Sequence, residues 1–432
     1  MLPFKVGPDF IDPGHHKTIT GVNSRNLDGW MLSKDYNTAN LKKNSQGADI
    51  AVVEGVMGLF DGYSGKTEDG STAQMAKWLG FPVVLVVDAK SMARSVAALV
   101  KGFECFDRQL KFAGVIFNNI AGERHLTYLQ DAIEHNVAMP CIGGIPRNEN
   151  ISIPERHLGL VTAQDHPLSK NNVENLAAII EDNINMDALL DSIDDAVVLP
   201  DKNTSLHKAQ KPVVNIGVAK DNAFCFYYKD NIELLEYYGA KIVYFSPVHD
   251  QDIPQDLDGI YFGGGYPELY AKTLSDNVSV RNHILNKSSQ GMPMYGECGG
   301  FMYLCSQLCD KNGNVFAMTG CLPFKTSMLP KLNALGYREI TLQNDTIIGK
   351  KGYMIKGHEF HYSQMTPCVH NGNIKTVYQV SKRTGLNKNS EGFQIKRCLG
   401  SYIHLHFGSC PDVARHFVET CLVYKKERGA IQ

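Results

Sequence analysis

The sequence predicts an α/β protein with two doubly wound domains, and three observations carry that prediction. Short apolar runs ending in acids or glycines alternate with helical segments at βα spacing, which calls for mostly parallel sheets. The alternation breaks off in a polar stretch bounded by prolines near residues 194–212 and then restarts. At 432 residues the chain is also too long for one ordinary core. The domains expected are 1–195 and 213–432, joined by a linker at 196–212.

Composition narrows the class. Apolar residues at 43% and charged residues at 20% are normal for a soluble globular protein, and a formal net charge of -2 disfavours nucleic acid as a partner. No run approaches the roughly 18 apolar residues of a membrane span, and the N-terminus is no signal peptide, so a cytoplasmic location is expected. The 11 cysteines are scattered and lack C-x-x-C pairs, which fits reduced thiols better than a disulfide framework or a zinc site.

In the first half, Met1 to Val6 reads as an interior strand. Gly7-Pro-Asp-Phe-Ile-Asp-Pro13 is then a loop presenting Asp9 and Asp12, where solvated turn aspartates compete with a metal or phosphate site. Asp49 to Glu54 is a buried parallel strand, with Asp61 one loop later. Acids at the carboxyl ends of such strands commonly hold Mg²⁺ against a nucleotide. Further along are a helix over Ser71 to Leu79, a strand over Pro82 to Asp88, a helix over Ser95 to Phe106 and a strand over Phe112 to Asn118. His125 to Asn136 is helical, Cys141 to Pro146 is the last strand, Arg156 and His157 fall in a loop, and Asn172 to Leu190 reads as one long amphipathic helix.

The second half contains strands at Val213 to Ala219, Lys241 to Phe245 and Asp258 to Phe262, with a helix over Tyr228 to Gly239. Gly263, Gly264 and Gly265 then expose backbone N–H groups suited to an oxyanion hole or anion nest. Gly291 to Tyr295 is a short buried strand and Phe301 to Leu308 a helix, with Cys298 between them among glycines. So tight a strand-to-helix turn strains its middle residue, and the helix N-terminus beneath is expected to lower the thiol pKa. A small buried core residue is the ordinary fate of a free cysteine. Leu399 to Phe407 reads as one strand with His404 and His406 on the same face, either of which could serve as base.

With these residues in place, the chain resembles a known family. Gly296-Glu-Cys-Gly-Gly300, Tyr261-Phe-Gly-Gly-Gly-Tyr-Pro-Glu268 and Ser401-Tyr-Ile-His404 look like the class I glutamine amidotransferase domain of the cobyrinate-type synthases. Phe4 to Pro13, Ser24 to Asp28, Val53 to Gly62, Pro154 to Leu160 and Gly357-His-Glu-Phe-His-Tyr-Ser363 resemble the a,c-diamide branch of that family. The match runs from the first residue to about Phe407.

The resemblance implies a cytoplasmic ligase of cobalamin biosynthesis. A dethiobiotin-synthetase-like domain with Mg²⁺ and ATP would phosphorylate the c and then the a carboxylate of cobyrinate. The second domain would hydrolyse L-glutamine to supply ammonia. By family position, Glu54 and Asp9 are metal or phosphoryl-site acids, Asp12 and Asp61 lie near the substrate carboxylates, and Lys5 offsets phosphate charge. Cys298 is the nucleophile and His404 its base, in a dyad without a third acid. Gly264 and Gly299 supply oxyanion N–H groups. The family's P-loop, ahead of Phe4, has no counterpart here, and Gly65-Lys66-Thr67 lacks its context. The expectation is a P-loop-NTPase-like domain missing its first strand, weak in nucleotide binding and reduced in stability. Nickel sirohydrochlorin or hydrogenobyrinate as substrate, a non-catalytic nucleotide-inactive protein, and homo-oligomerisation all remain open.

Overall fold

The structure is a computed structural model that describes residues 1–148, 161–163, 165–193, 210–368, 374–381 and 389–431. The motif at 154–160, with Arg156 and His157, and most of the linker at 196–212 lie outside these residues. The chain forms two compact units. One comprises Met1–Gly29 and Lys34–Asn203; the other comprises Thr204–Gln432 together with Trp30–Ser33. That four-residue exchange carries no sequence signal. Within the second unit, Lys356 Nζ donates to Trp30 O at 2.9 Å and lies over its indole.

The first unit runs β1 (Leu2–Val6), α1 (Asp12–Thr20), β2 (Arg25–Leu27), α2 (Lys34–Asn44), β3 (Ala51–Glu54), α3 (Thr72–Leu79), β4 (Val83–Asp88), α4 (Ser95–Phe106), β5 (Phe112–Ile120), α5 (Glu123–Glu134), β6 (Cys141–Pro146), α6 (Lys170–Asn183) and α7 (Met186–Asp191). All strand pairs are parallel. They form two three-stranded sheets, β2-β1-β3 and β4-β5-β6. The division falls between β3 and β4, and it leaves apolar positions uncovered: Val52 is 47% and Val86 60% exposed. A parallel strand is normally buried on both faces, so these two edges depart from the rule. The single helix expected over Asn172 to Leu190 is two. Asn185 breaks it, because its N–H donates to Ile142 O and its side chain caps the next helix by accepting from Ala188 N.

The second unit runs β7 (Val214–Ala219), α8 (Lys229–Tyr237), β8 (Ala240–Phe245), β9 (Gly259–Phe262), α9 (Ala271–Asp276), α10 (Val278–Ser289), β10 (Met294–Glu297), α11 (Gly299–Leu304), β11 (Cys305–Cys309), β12 (Val315–Ala317), β13 (Leu322–Met328), β14 (Ala334–Leu342), β15 (Met354–His361), β16 (Ser363–Pro367), β17 (Lys375–Ser381), β18 (Asn389–Ile395), β19 (Cys398–Ser401), β20 (His404–Leu405) and α12 (Asp412–Ile431). Ten strands form one mixed sheet, ordered β20-β15-β14-β17-β18-β19-β10-β9-β7-β8, and β11–β13 and β16 form a second. Apolar side chains cover both faces of the large sheet. Phe262, Phe301 and Tyr303 lie in one cluster; Tyr261, Tyr295, Phe407 and Phe417 lie in the other.

Two expectations about local structure are corrected here. The helix after Cys298 starts earlier and ends at Leu304, because Cys305 turns into β11 and pairs with β13 and β12. The strand expected over Leu399 to Phe407 is broken at Tyr402 and Ile403. β19 pairs parallel with β10, whereas β20 pairs antiparallel with β15, so the chain changes neighbours between them.

Candidate active site

β10 ends at Glu297, and Cys298 sits at the turn with φ +49° and ψ −103°. This is a costly conformation for a residue with a Cβ, and such strain gathers at functional positions. The surrounding backbone over-determines it: Cys298 N–H donates to Ser401 O at 2.7 Å, and Gly300 N–H to Gly263 O at 2.9 Å. The thiol is nearly buried and donates to Phe360 O on β15 at 3.8 Å. The expected lowering of its pKa is overturned. Burial pushes the thiol up, and the charges of Glu268, Glu359 and Glu297 add to that. A six-residue helix does not outweigh full desolvation beside three acids.

His404 and His406 are both buried but do different things. His404 lies directly opposite His358 in the β15–β20 pairing, and the two rings stack at 4.8 Å and 11°. Burial holds its pKa down near 3, with His361 adding to the drop and Glu359 opposing it. His406 accepts the Gly408 N–H at Nδ1 and lies 3.8 Å from Asp230 at the start of α8. Burial lowers its pKa to about 4. The shared strand face read from the sequence is therefore replaced by two separate environments.

The three glycines divide their work. A Cβ on Gly264 would run into His404, with Cε1 nearest and both ring nitrogens 3.2 Å away, so this glycine abuts the imidazole edge. Its N–H, expected as an oxyanion donor, donates to Phe226 O at 3.2 Å. The next residue takes the better position. Gly265 N lies 3.0 Å from where a Cβ of Gly299 would stand, and its φ of +153°, with Ala223 O where its own Cβ would stand, strongly favours glycine. Gly299 N–H lies near the thiol.

In the first unit, Lys5 gathers the expected acids. Its Nζ lies 2.6 Å from Asp12, 3.3 Å from Glu54 and 4.0 Å from Asp9, and it also donates to Gly55 O. Burial works against the Lys5 charge, but the Asp12 bond and the charges of Glu54, Asp12 and Asp9 outweigh it and hold its pKa up. Burial and Asp12 raise Asp9, although the Ile11 and Asp12 N–H groups cap its carboxylate. Asp61 accepts from Gly58 N at 3.0 Å. His16, 2.8 Å from Glu54, is an addition that turn chemistry did not announce. No cluster of three or more His, Cys, Asp or Glu forms a metal cage among the described residues. Asp9 and Glu54 instead fit Mg²⁺ carried on phosphate, which takes one or two protein carboxylates plus water.

The fold and this site define a glutamine amidotransferase unit preceded by a nucleotide-dependent unit, the class of an amide-forming ligase that uses glutamine. Residues 215–411 match the CobB/CobQ-like glutamine amidotransferase domain, and residues 24–155 match an AAA domain. A cobyrinate a,c-diamide synthase of Dehalococcoides mccartyi is 42% identical over 424 residues, covering 97% of this chain and 91% of that protein. Proteins of that name from Syntrophotalea carbinolica, at 42%, and Salmonella typhimurium, at 40%, align over the same shares of both chains. The chain belongs to the cobyrinate a,c-diamide synthase family.

Proposed function

We propose that this protein converts the a- and c-side-chain carboxylates of cobyrinate to amides, with ATP as co-substrate and L-glutamine as nitrogen donor, in cobalamin biosynthesis. The observation that carries the glutaminase half is the strained Cys298 elbow, whose N–H donates to Ser401 O three residues before His404. Burial disfavours the charged form of both groups, raising the thiol pKa and lowering the imidazole pKa. His404 takes the thiol proton as Cys298 Sγ adds to the glutamine carboxamide carbon, and it returns that proton to the departing ammonia. The Gly265 and Gly299 N–H groups stabilise the oxyanion. Water, with His404 again as base, then releases glutamate from the thioester.

A carboxylate accepts ammonia only once it carries a leaving group, and ATP supplies that group as an acyl phosphate. Mg²⁺ bound with the nucleotide would be held by Asp9 and Glu54 and would offset phosphate charge. Lys5 balances the acids and the transferred phosphoryl group, while Asp12 and Asp61 face the substrate end. The test is Cys298→Ala, assayed for amidation with glutamine and with ammonia as the nitrogen donor. Glutamine-dependent amidation should vanish while ammonia-dependent amidation persists. Equal loss with both donors would overturn the division of labour.

A further inference from the structure

Class I amidotransferase logic asks for a third group to orient the base, and the residue two beyond His404 is His406, turned to Asp230 and Gly408. His404 is instead fixed by its neighbours. The His358 ring covers one face at 4.8 Å, and Gly264 abuts the Cε1 edge. His358 is itself anchored: its Nδ1 is 2.8 Å from the hydroxyl of Tyr228, a residue 2% exposed that precedes α8. The same helix start grips the base strand, since Asn231 donates to Leu405 O at 2.7 Å and accepts from Phe407 N at 2.8 Å.

We propose that the Tyr228–His358 pair is an orienting device of the base. His358 positions His404 through ring stacking, and Tyr228 locks the His358 ring. Burial keeps His358 uncharged, so when His404 takes the thiol proton it meets an imidazole face rather than a second cation. The stack fixes the plane of His404 without neutralising its charge, which differs from what a carboxylate would do. A ring displaced by about 1 Å costs on the order of 10² in rate, and the loss falls on turnover rather than substrate binding.

This inference rests on Cys298 and His404 being nucleophile and base, and the experiment separates the two. Glutamine hydrolysis is followed for Cys298→Ala, His404→Ala, His358→Ala, His358→Phe and Tyr228→Phe. The first two variants test the underlying reading, and activity near wild type in either would sink that reading. With both inactive, His358→Ala should lower kcat by about 10- to 100-fold with KM within about twofold. His358→Phe, which restores a ring, should recover most of that loss. Tyr228→Phe should show a smaller drop in kcat. Labelling of Cys298 by a glutamine-analogue electrophile should slow in parallel, while labelling by chloroacetamide should not change. A His358→Ala effect on KM alone, no rescue by Phe, or kcat within about twofold of wild type would each overturn the proposal. If His358→Ala does not fold, His358→Phe and Tyr228→Phe carry the test: each keeps a ring but loses the Tyr228–His358 hydrogen bond, so modest drops in kcat of similar size support the proposal, and wild-type kcat in both, or a loss in His358→Phe as large as in His404→Ala, overturns it.

Discussion

The Glu297 carboxylate accepts the Leu405 N–H at 3.0 Å, so the residue before the nucleophile is bonded to the residue after the base. Tyr295 and Tyr261 hydroxyls hold the same carboxylate at 2.7 and 2.8 Å. β10 and β20 are not neighbours in the sheet, and this buried side chain bridges them. Glu297→Ala should cut kcat for glutamine hydrolysis by about 10-fold or more and lower stability, because it strands two buried hydroxyls and an N–H. Glu297→Gln keeps an acceptor and should cost far less. Steady-state kinetics of the two variants decide it, and equal losses would argue against a bridging role.

Glu297 also predicts a pH dependence. Burial raises its pKa from 4.5 to about 7, outweighing three donated hydrogen bonds. The folded chain therefore holds this proton more tightly than the unfolded one. Its contribution to stability is full below about pH 4.5, falls as pH rises to about 7, and is flat above. The size is on the order of 3 kcal/mol at most. His404 and His406, with lowered pKa values, tilt the curve the other way. The difference between wild type and Glu297→Gln is thus the quantity to follow by urea denaturation from pH 5 to 8. Parallel curves would exclude the assignment.

His404→Ala should reduce glutamine hydrolysis by on the order of 10² or more, the scale of a lost general base. His406→Ala should act chiefly on stability, since it leaves the Gly408 N–H without its acceptor. A larger kinetic loss at His406 would reverse the roles.

Gly264→Ala should inactivate the enzyme without unfolding it, because the new methyl would take the place of the His404 edge. Circular dichroism and a thermal melt would register the retained fold. Near-normal activity would mean that His404 works from elsewhere.

Lys5→Met should destabilise the first unit by about 2 kcal/mol, less than for a fully buried ion pair because solvent reaches the acids, as Asp12, Glu54 and Asp9 would face one another uncompensated. Adding Asp12→Asn should recover part of the loss. Unchanged unfolding in denaturant would show that solvent already screens the group.

The cysteines add a caution for labelling. Cys105 and Cys368 are exposed whereas Cys298 is nearly buried, so unselective alkylators should reach those two first. Selectivity for Cys298 requires a reagent shaped like glutamine.

The sequence by itself determined the elements and the cast of residues. Apolar runs and acids at strand ends gave the βα alternation, and the glycines around Cys298 announced an elbow, because local backbone geometry leaves a local composition. What lay beyond it depended on partners distant in sequence. β19 and β20 read as one strand, since a change of neighbour leaves no mark on an apolar run. Only the β15 pairing decided what faces His404, and only the fold showed which glycine N–H is spent on Phe226. The thiol's electrostatics inverted for the same reason. A short helix is visible in sequence, whereas near-complete burial beside Glu268 and Glu359 is a property of packing. Likewise the Lys5 acids could be named from strand ends, but their convergence on one ammonium required β1 and β3 to pair with Lys5 opposite Glu54.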